Sequence, residues 1–172
     1  MYLHEIEEGQ RVFIDANIFV YHFSQGSRFN KSCTEFLCRV EKAEIHGITS
    51  TAIILEATHR LMMGEASSVV DIEVKNLPKY LKQHPELVKQ LTKHLAIPGK
   101  ISKLNVEIIP ITAGLIEESQ ALKPKYGLLS NDTLTLKIMD EYKITSLASN
   151  DLDFKRVDWI RLYAPSPVED IS

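Results

Sequence analysis

Cysteine is almost missing from this 172-residue chain: there are two, Cys33 and Cys38, and no Cys-x-x-Cys. That count excludes a zinc ribbon and a dithiol redox pair. Residues five apart face different directions on a helix, so both thiols are expected to be reduced and buried or half-buried. Long apolar runs are missing too. None approaches the ~20 residues needed to span a bilayer, so no membrane association is expected. The first eight residues carry Glu5, Glu7 and Glu8 in place of the basic segment and apolar stretch of a secretory leader. A cytoplasmic protein is the expectation. There is no basic surplus: 20 Lys+Arg against 23 Asp+Glu give a formal charge of −3. This argues against a protein that coats nucleic acid through a broad basic surface. It leaves room for an enzyme that gathers acids around cations in a single cleft. No Ser/His/Asp order and no Cys/His motif offers a side-chain nucleophile.

What the chain does contain is 44% hydrophobic residues, enough for one domain with a real core. We read residues 1–172 as that domain, with its core over about 11–165 and a lysine-rich helical segment over about 65–103. Arg11-Val12-Phe13-Ile14 is apolar without strict alternation, as in a parallel strand covered on both faces. Further strands are expected at 46–50, 106–110, 144–148 and 159–163. Helices are expected at about 18–24, 30–44, from 51 onward, 85–97, 112–122 and from about 130 to 142. Asn17, Thr51 and Ser130 or Asn131 are the expected caps. Leu87, Val88, Leu91 and Leu95 would supply a buried stripe for the helix begun by Pro85 and ended by Pro98-Gly99. Strands alternating with helices imply a parallel sheet whose ligands bind beyond the carboxyl ends of the strands.

Four acids fall near those ends. Asp15 and Asp151 follow strands directly, whereas Glu56 and Asp132 occupy first or second helical turns just past the sheet edge. Carboxylates in one cleft repel each other and are poorly ionised unless a cation stands among them. Hard oxygen donors of this kind suit Mg²⁺ or Mn²⁺. Such an ion can activate water and screen charge on a phosphate undergoing displacement.

Four segments, in this order and at these separations, resemble the PIN-domain family and, within it, the VapC-like toxins. They are Phe13-Ile14-Asp15-Ala16-Asn17, Ser50-Thr51-Ala52-Ile53-Ile54-Leu55-Glu56, Leu128-Leu129-Ser130-Asn131-Asp132 and Ala148-Ser149-Asn150-Asp151-Leu152-Asp153-Phe154. The resemblance implies a three-layer α/β/α sandwich around a parallel sheet of about five strands in the order 3-2-1-4-5. It implies a ribonuclease using Mg²⁺ or Mn²⁺, with Asp15, Glu56, Asp132 and Asp151 as the acidic quartet and Asp153 as an additional acid. Asn17, Thr51 and Ser149 match polar positions that support the acids or their water. Ser149-Asn150 stands where a threonine and a basic residue are most usual. An RNA substrate, a small antitoxin partner and a homodimer are likewise implied. A housekeeping RNA-processing nuclease and a catalytically inactive RNA-binding module are the rival readings.

Other motifs are weighed and set aside. Lys155 and Arg156 stand where an EF-hand needs oxygen ligands and glycine. A phosphatase aspartate pair belongs after the first strand, and Asp151-Leu152-Asp153 follows the fourth. Glu56-Ala57-Thr58-His59 fits one Glu-x-x-His element, but a di-iron bundle needs two and no strands. Arg60 lies four residues beyond Glu56 and could hold it as a surface pair. Between positions 75 and 103 seven lysines face one acid, Glu86. They read either as a solvated helix face or as a phosphate-tracking arm, in which Lys89 and Lys93 are the candidate RNA contacts.

Overall fold

The structure is a computed structural model and describes residues 1–167. Val12, Phe13 and Ile14 of β1 (Arg11–Ile14) are fully buried and occupy the middle of the sheet. On one side β1 pairs in parallel with β2 (His46–Ser50), Phe13 opposite Ile48. On the other it pairs with β4 (Ser146–Ala148), Phe13 opposite Leu147. β3 (Glu107–Ile109) extends the sheet beyond β2, and β5 (Arg161–Tyr163) extends it beyond β4. The order is therefore β3-β2-β1-β4-β5, as expected, with every pair parallel and helices flanking the sheet. Central strands buried on both faces explain why the sequence reads there as unbroken apolar runs rather than an alternation.

The crossovers supply the helical layers. After β1 come α1 (Ala16–Phe23) and α2 (Asn30–Glu41), which pack together, and α1 also packs on α3 (Thr51–Ser67). Cys33, Phe36, Leu37 and Val40 form the buried stripe of α2, while Cys38 is exposed, contrary to the expectation for that thiol. The stripe comes so close to β2 that a Cβ on Gly47 would lie under 3 Å from Val40 Cγ1 and Ile14 Cδ1. Between β3 and β4 lie α7 (Ala113–Ser119), α8 (Lys123–Tyr126) and α9 (Ser130–Glu141), with α7 packed on α9.

The lysine-rich segment differs most from its expected form. It is a series of short pieces: α4 (Leu77–Gln83), α5 (Pro85–Val88), a 3-10 turn at Lys93–Ala96 and α6 (Ile97–Ser102). The expected helix over 85–97 stops after one turn. Val88 and Leu95 are exposed, so only Leu91 and the half-buried Leu87 face inward. Pro98 opens α6 instead of ending a helix, because a proline in a first turn removes no hydrogen bond. Leu77, Leu81 and Leu91 form a small separate core with Ala66 at the end of α3. The segment is fastened there by Glu65. Its carboxylate accepts from the backbone N–H groups of Thr92 at 2.9 Å, Lys93 at 3.1 Å and His94 at 3.3 Å, and contacts His94 Nδ1 at 3.2 Å.

Candidate active site

At the carboxyl end of β1 the chain turns directly into α1, and Asp15 rather than Asn17 is the capping residue: its Oδ1 accepts from Ala16 N at 2.7 Å. Asn17 is instead buried one position into the helix. There its amide links two chain segments, donating to Asp15 Oδ2 and, at 2.9 Å, to Ser149 Oγ. Its Oδ1 accepts from Asn150 N at 3.1 Å.

Ser149, buried just past β4, donates to Asp15 Oδ2 at 2.6 Å and accepts from Asp151 N at 3.0 Å as well as from Asn17. One hydroxyl has one proton to give and two lone pairs to offer, and here all three are used. Asp15 and the Asp151 loop are thus locked together through Asn17 and Ser149. Asp151 caps the 3-10 turn Leu152–Arg156 by accepting from Asp153 N at 2.8 Å. Asp153 is exposed and paired with Arg156 at 2.8 Å, so part of its charge is already satisfied.

Glu56 lies on α3, half-buried. It accepts from Asn131 Nδ2 at 3.0 Å and meets Arg60 at 3.7 Å, so the helical pair anticipated from spacing does form. The Asn131 contact binds α3 to the first turn of α9, which also carries Asp132. That helix starts with no side-chain cap: Asn131, expected to cap it, serves Glu56. Thr51 is placed elsewhere. The cap of α3 is Ser50, whose Oγ accepts from Ile53 N, and the Thr51 hydroxyl accepts from Ile111 N at 3.1 Å with no hydrogen bond to an acid among the described residues. A shift of one residue at the strand–helix junction turned Thr51 toward the β3 connection. Sequence reasoning missed Asn131 as a partner of Glu56, and missed Asn150, which donates to the Tyr21 hydroxyl.

The electrostatics connect the acids into one group. Burial pushes Asp15 up to about 6, against the opposing bonds from Ser149 and Ala16, and the charge of Glu56 raises it further. Burial also raises Asp132, with the charges of Asp151, Glu56 and Asp153 adding to it. Glu56 is therefore felt by both Asp15 and Asp132. Asp15, Asp132 and Asp151 have no basic partner within ion-pair distance among the described residues. As the side chains lie, no three carboxylate, imidazole or thiol groups among the described residues are gathered closely enough to hold one ion. The donor set still suits a hard divalent cation: oxygen ligands only, mutually repelling, and two of them resisting ionisation. Lys89 and Lys93 are exposed on the fastened segment.

Comparison with known proteins fits this arrangement. The PIN-domain family model matches residues 12–160. Ribonuclease VapC2 of Methanocaldococcus jannaschii is 31% identical over 160 residues, covering 90% of this chain and 94% of the relative. Among solved structures, Mycobacterium tuberculosis VapC20, a sarcin-ricin loop cleaving toxin, superposes with a TM-score of 0.58 at 13% identity, covering 87% of this chain and 96% of its own. A chain from Rickettsia felis VapBC2, solved with a promoter DNA fragment, gives 0.56 at 17% identity, covering 91% and 100%. At those identities the two structures speak for the fold, and the family model and the curated relative speak for descent: the chain belongs to the PIN-domain family.

Proposed function

We propose that this chain is a metal-dependent endoribonuclease and the toxin of a VapBC-type toxin–antitoxin module. The observation that supports the reading is the coupling among these acids: the charge of Glu56 raises both Asp15 and Asp132, that of Asp151 raises Asp132, and hydrogen bonds through Ser149 tie Asp15 to the Asp151 loop. Similarity to a VapC ribonuclease along nine-tenths of the chain supplies the class of reaction.

In this reading Asp15, Glu56, Asp132 and Asp151 would hold one or two Mg²⁺ or Mn²⁺ ions, with Asp153 as a lesser ligand. A bound ion would activate water for attack on a phosphodiester and offset charge on the phosphate. The chain's own groups fix the acids. Asn17 and Ser149 hold the Asp15 carboxylate in one orientation and tie it to the Asp151 loop. Asn131 holds Glu56 toward α9. Asp132 sits in the first turn of α9, where the helix dipole favours its charged form. Thr51 is not among these supports: its hydroxyl accepts from Ile111 N and makes no hydrogen bond to an acid among the described residues. Lys89 and Lys93 act on the RNA backbone at a distance. Glu65, to which the Lys93 backbone bonds, is nine residues along α3 from Glu56, about 14 Å at 1.5 Å per residue. An antitoxin near the acids, a homodimer and a cytoplasmic setting complete the proposal.

Incubating purified protein with total RNA, in Mn²⁺ or in chelator, and mapping the cut ends tests it. Metal-dependent cuts with 5′-phosphate and 3′-hydroxyl ends are expected from the wild type. None is expected from Asp132→Asn, which should melt as a folded protein. Turnover retained in that variant refutes the assignment of Asp132.

A further inference from the structure

Beside the acids, a second surface joins aromatic rings, a free guanidinium and the loop that carries Asp151. Tyr21 lies one turn beyond Asn17 on α1, and a helical side chain leans back toward the N-terminus of its helix. Its hydroxyl accordingly meets Asn150 Nδ2 at 3.2 Å. Asn150 directly precedes Asp151 and also bonds Asn17, so the phenol edge belongs to the network that positions Asp15. The Tyr21 ring packs on Phe29 with centroids 5.0 Å apart and planes at 44°. The guanidinium carbon of Arg28 lies over Phe29, 4.8 Å from the ring centroid. Asn30 Nδ2 donates to the carbonyls of Tyr21 and His22 at 3.0 and 2.7 Å, which pins the connection between α1 and α2.

Tyr21 and Phe29 are half-buried against the main core, so the platform is rigid, whereas Arg28 is exposed. Among the described residues Arg28 has no carboxylate within ion-pair distance and no hydrogen bond to a protein group. A guanidinium stacked on a ring keeps its N–H donors and its outer face for a ligand. That combination of an aromatic platform, a guanidinium held over it and unused donors suits unpaired bases and their phosphates. A guanidinium serving only the fold would be expected to meet a carboxylate or a carbonyl.

We propose that Tyr21, Phe29 and Arg28 form a subsite for one unpaired ribonucleotide adjoining the acids on the Asp151 side. Arg28 takes the phosphate and offers its plane to the base, while Tyr21 couples the occupied subsite to Asn150. The subsite rests on the ribonuclease reading for its substrate. It makes the protein selective for single-stranded RNA, because a paired base cannot reach the platform.

The test compares the full chain with Arg28→Ala and Arg28→Lys, using a single-stranded ribo-oligonucleotide and a duplex of the same sequence. Turnover is measured in Mn²⁺ and equilibrium binding in chelator. Arg28→Ala should raise KM by about tenfold with kcat within about twofold, and weaken chelated binding by the same factor. The slope of log affinity against log salt should become shallower by about 0.7, one phosphate contact. Arg28→Lys should recover that slope but not the lost affinity, since lysine cannot stack. If the wild type cuts RNA and Arg28→Ala leaves KM and salt slope unchanged, the subsite is refuted and the nuclease stands. If duplex binding is as strong and as Arg28-dependent, the single-strand assignment is refuted. Arg28-dependent binding without any cleavage keeps the subsite and refutes the nuclease. Neither cleavage nor binding refutes both.

Discussion

The carboxyl of Asp15 is pulled two ways, toward ionisation by Ser149 and Ala16 and away from it by burial and Glu56. Burial wins, and its pKa rises from 3.8 to about 6. Between roughly pH 4 and 6 the folded protein therefore holds a proton that the unfolded chain has released. Stability contributed by this group falls as pH rises through that window, by an amount on the order of 3 kcal/mol when Asp15 is fully ionised. In chelator, the wild type should melt lower at pH 7 than at pH 5, and Asp15→Asn should flatten the difference. A wild-type melting temperature that climbs over that range and depends on Asp15 would contradict the burial argument. The sequence singled out the four acids because each stands near the end of an apolar run. The partners were less so. Asn17 has the composition of a cap, but its hydrogen bonds go to Ser149 and Asn150, over 130 residues away. Thr51 and Ser50 are equally good caps on paper, and the end of β2 decides between them.

Elements follow the same division. All five strands lie within the expected spans: β1 and β2 match them, while β3, β4 and β5 are trimmed by one or two residues at an end, and the central strands are the clearest because burial on both faces leaves an unbroken apolar run. The segment 68–103 was the least legible part. Its leucines have helical spacing, yet the backbone of 92–94 turns to meet a carboxylate instead of continuing a helix. Burial disfavours the charge on Glu65, but the N–H groups of Lys93, Thr92 and His94 together with the His94 ring outweigh it and hold the carboxyl down at about 2. The fastening is therefore present at pH above about 4.5 and lost only as pH falls toward 2. Glu65→Gln should speed amide hydrogen exchange at 92–94 while exchange in β1 and β4 stays slow. Equal acceleration in both places would mean that the segment is not a separate unit. Lys89→Glu with Lys93→Glu should weaken RNA binding and reduce the salt slope by about 1.4, two phosphate contacts on a single strand. An unchanged slope would make those lysines a solvated face and nothing more.

For the molecule as a whole, the sheet order sets β1 between β2 and β4, and the charge of Glu56 is felt at both Asp15 and Asp132. Their mutual repulsion then becomes a measurable ligand response. Mn²⁺ at 100 times its dissociation constant should stabilise the fold by about 2.7 kcal/mol, read as a rise in melting temperature. The rise should vanish in Asp15→Asn. A protein indifferent to Mn²⁺ would be the catalytically inactive relative that the sequence also allowed. Among the described residues no helix is long and apolar enough to cross a membrane.

The pairing of β1 with β4 has a temporal side. Phe13 meets Leu147 only when both have been made, and Ser149, which grips Asp15, follows two residues later. Closing a loop of that length comes late in folding. A nascent chain still lacking those residues has three of the four acids, Asp15, Glu56 and Asp132, but neither Asp151 nor the Ser149 hydroxyl that holds the first of them. The ribosome, itself built of RNA, would thus carry this chain unarmed through most of its translation.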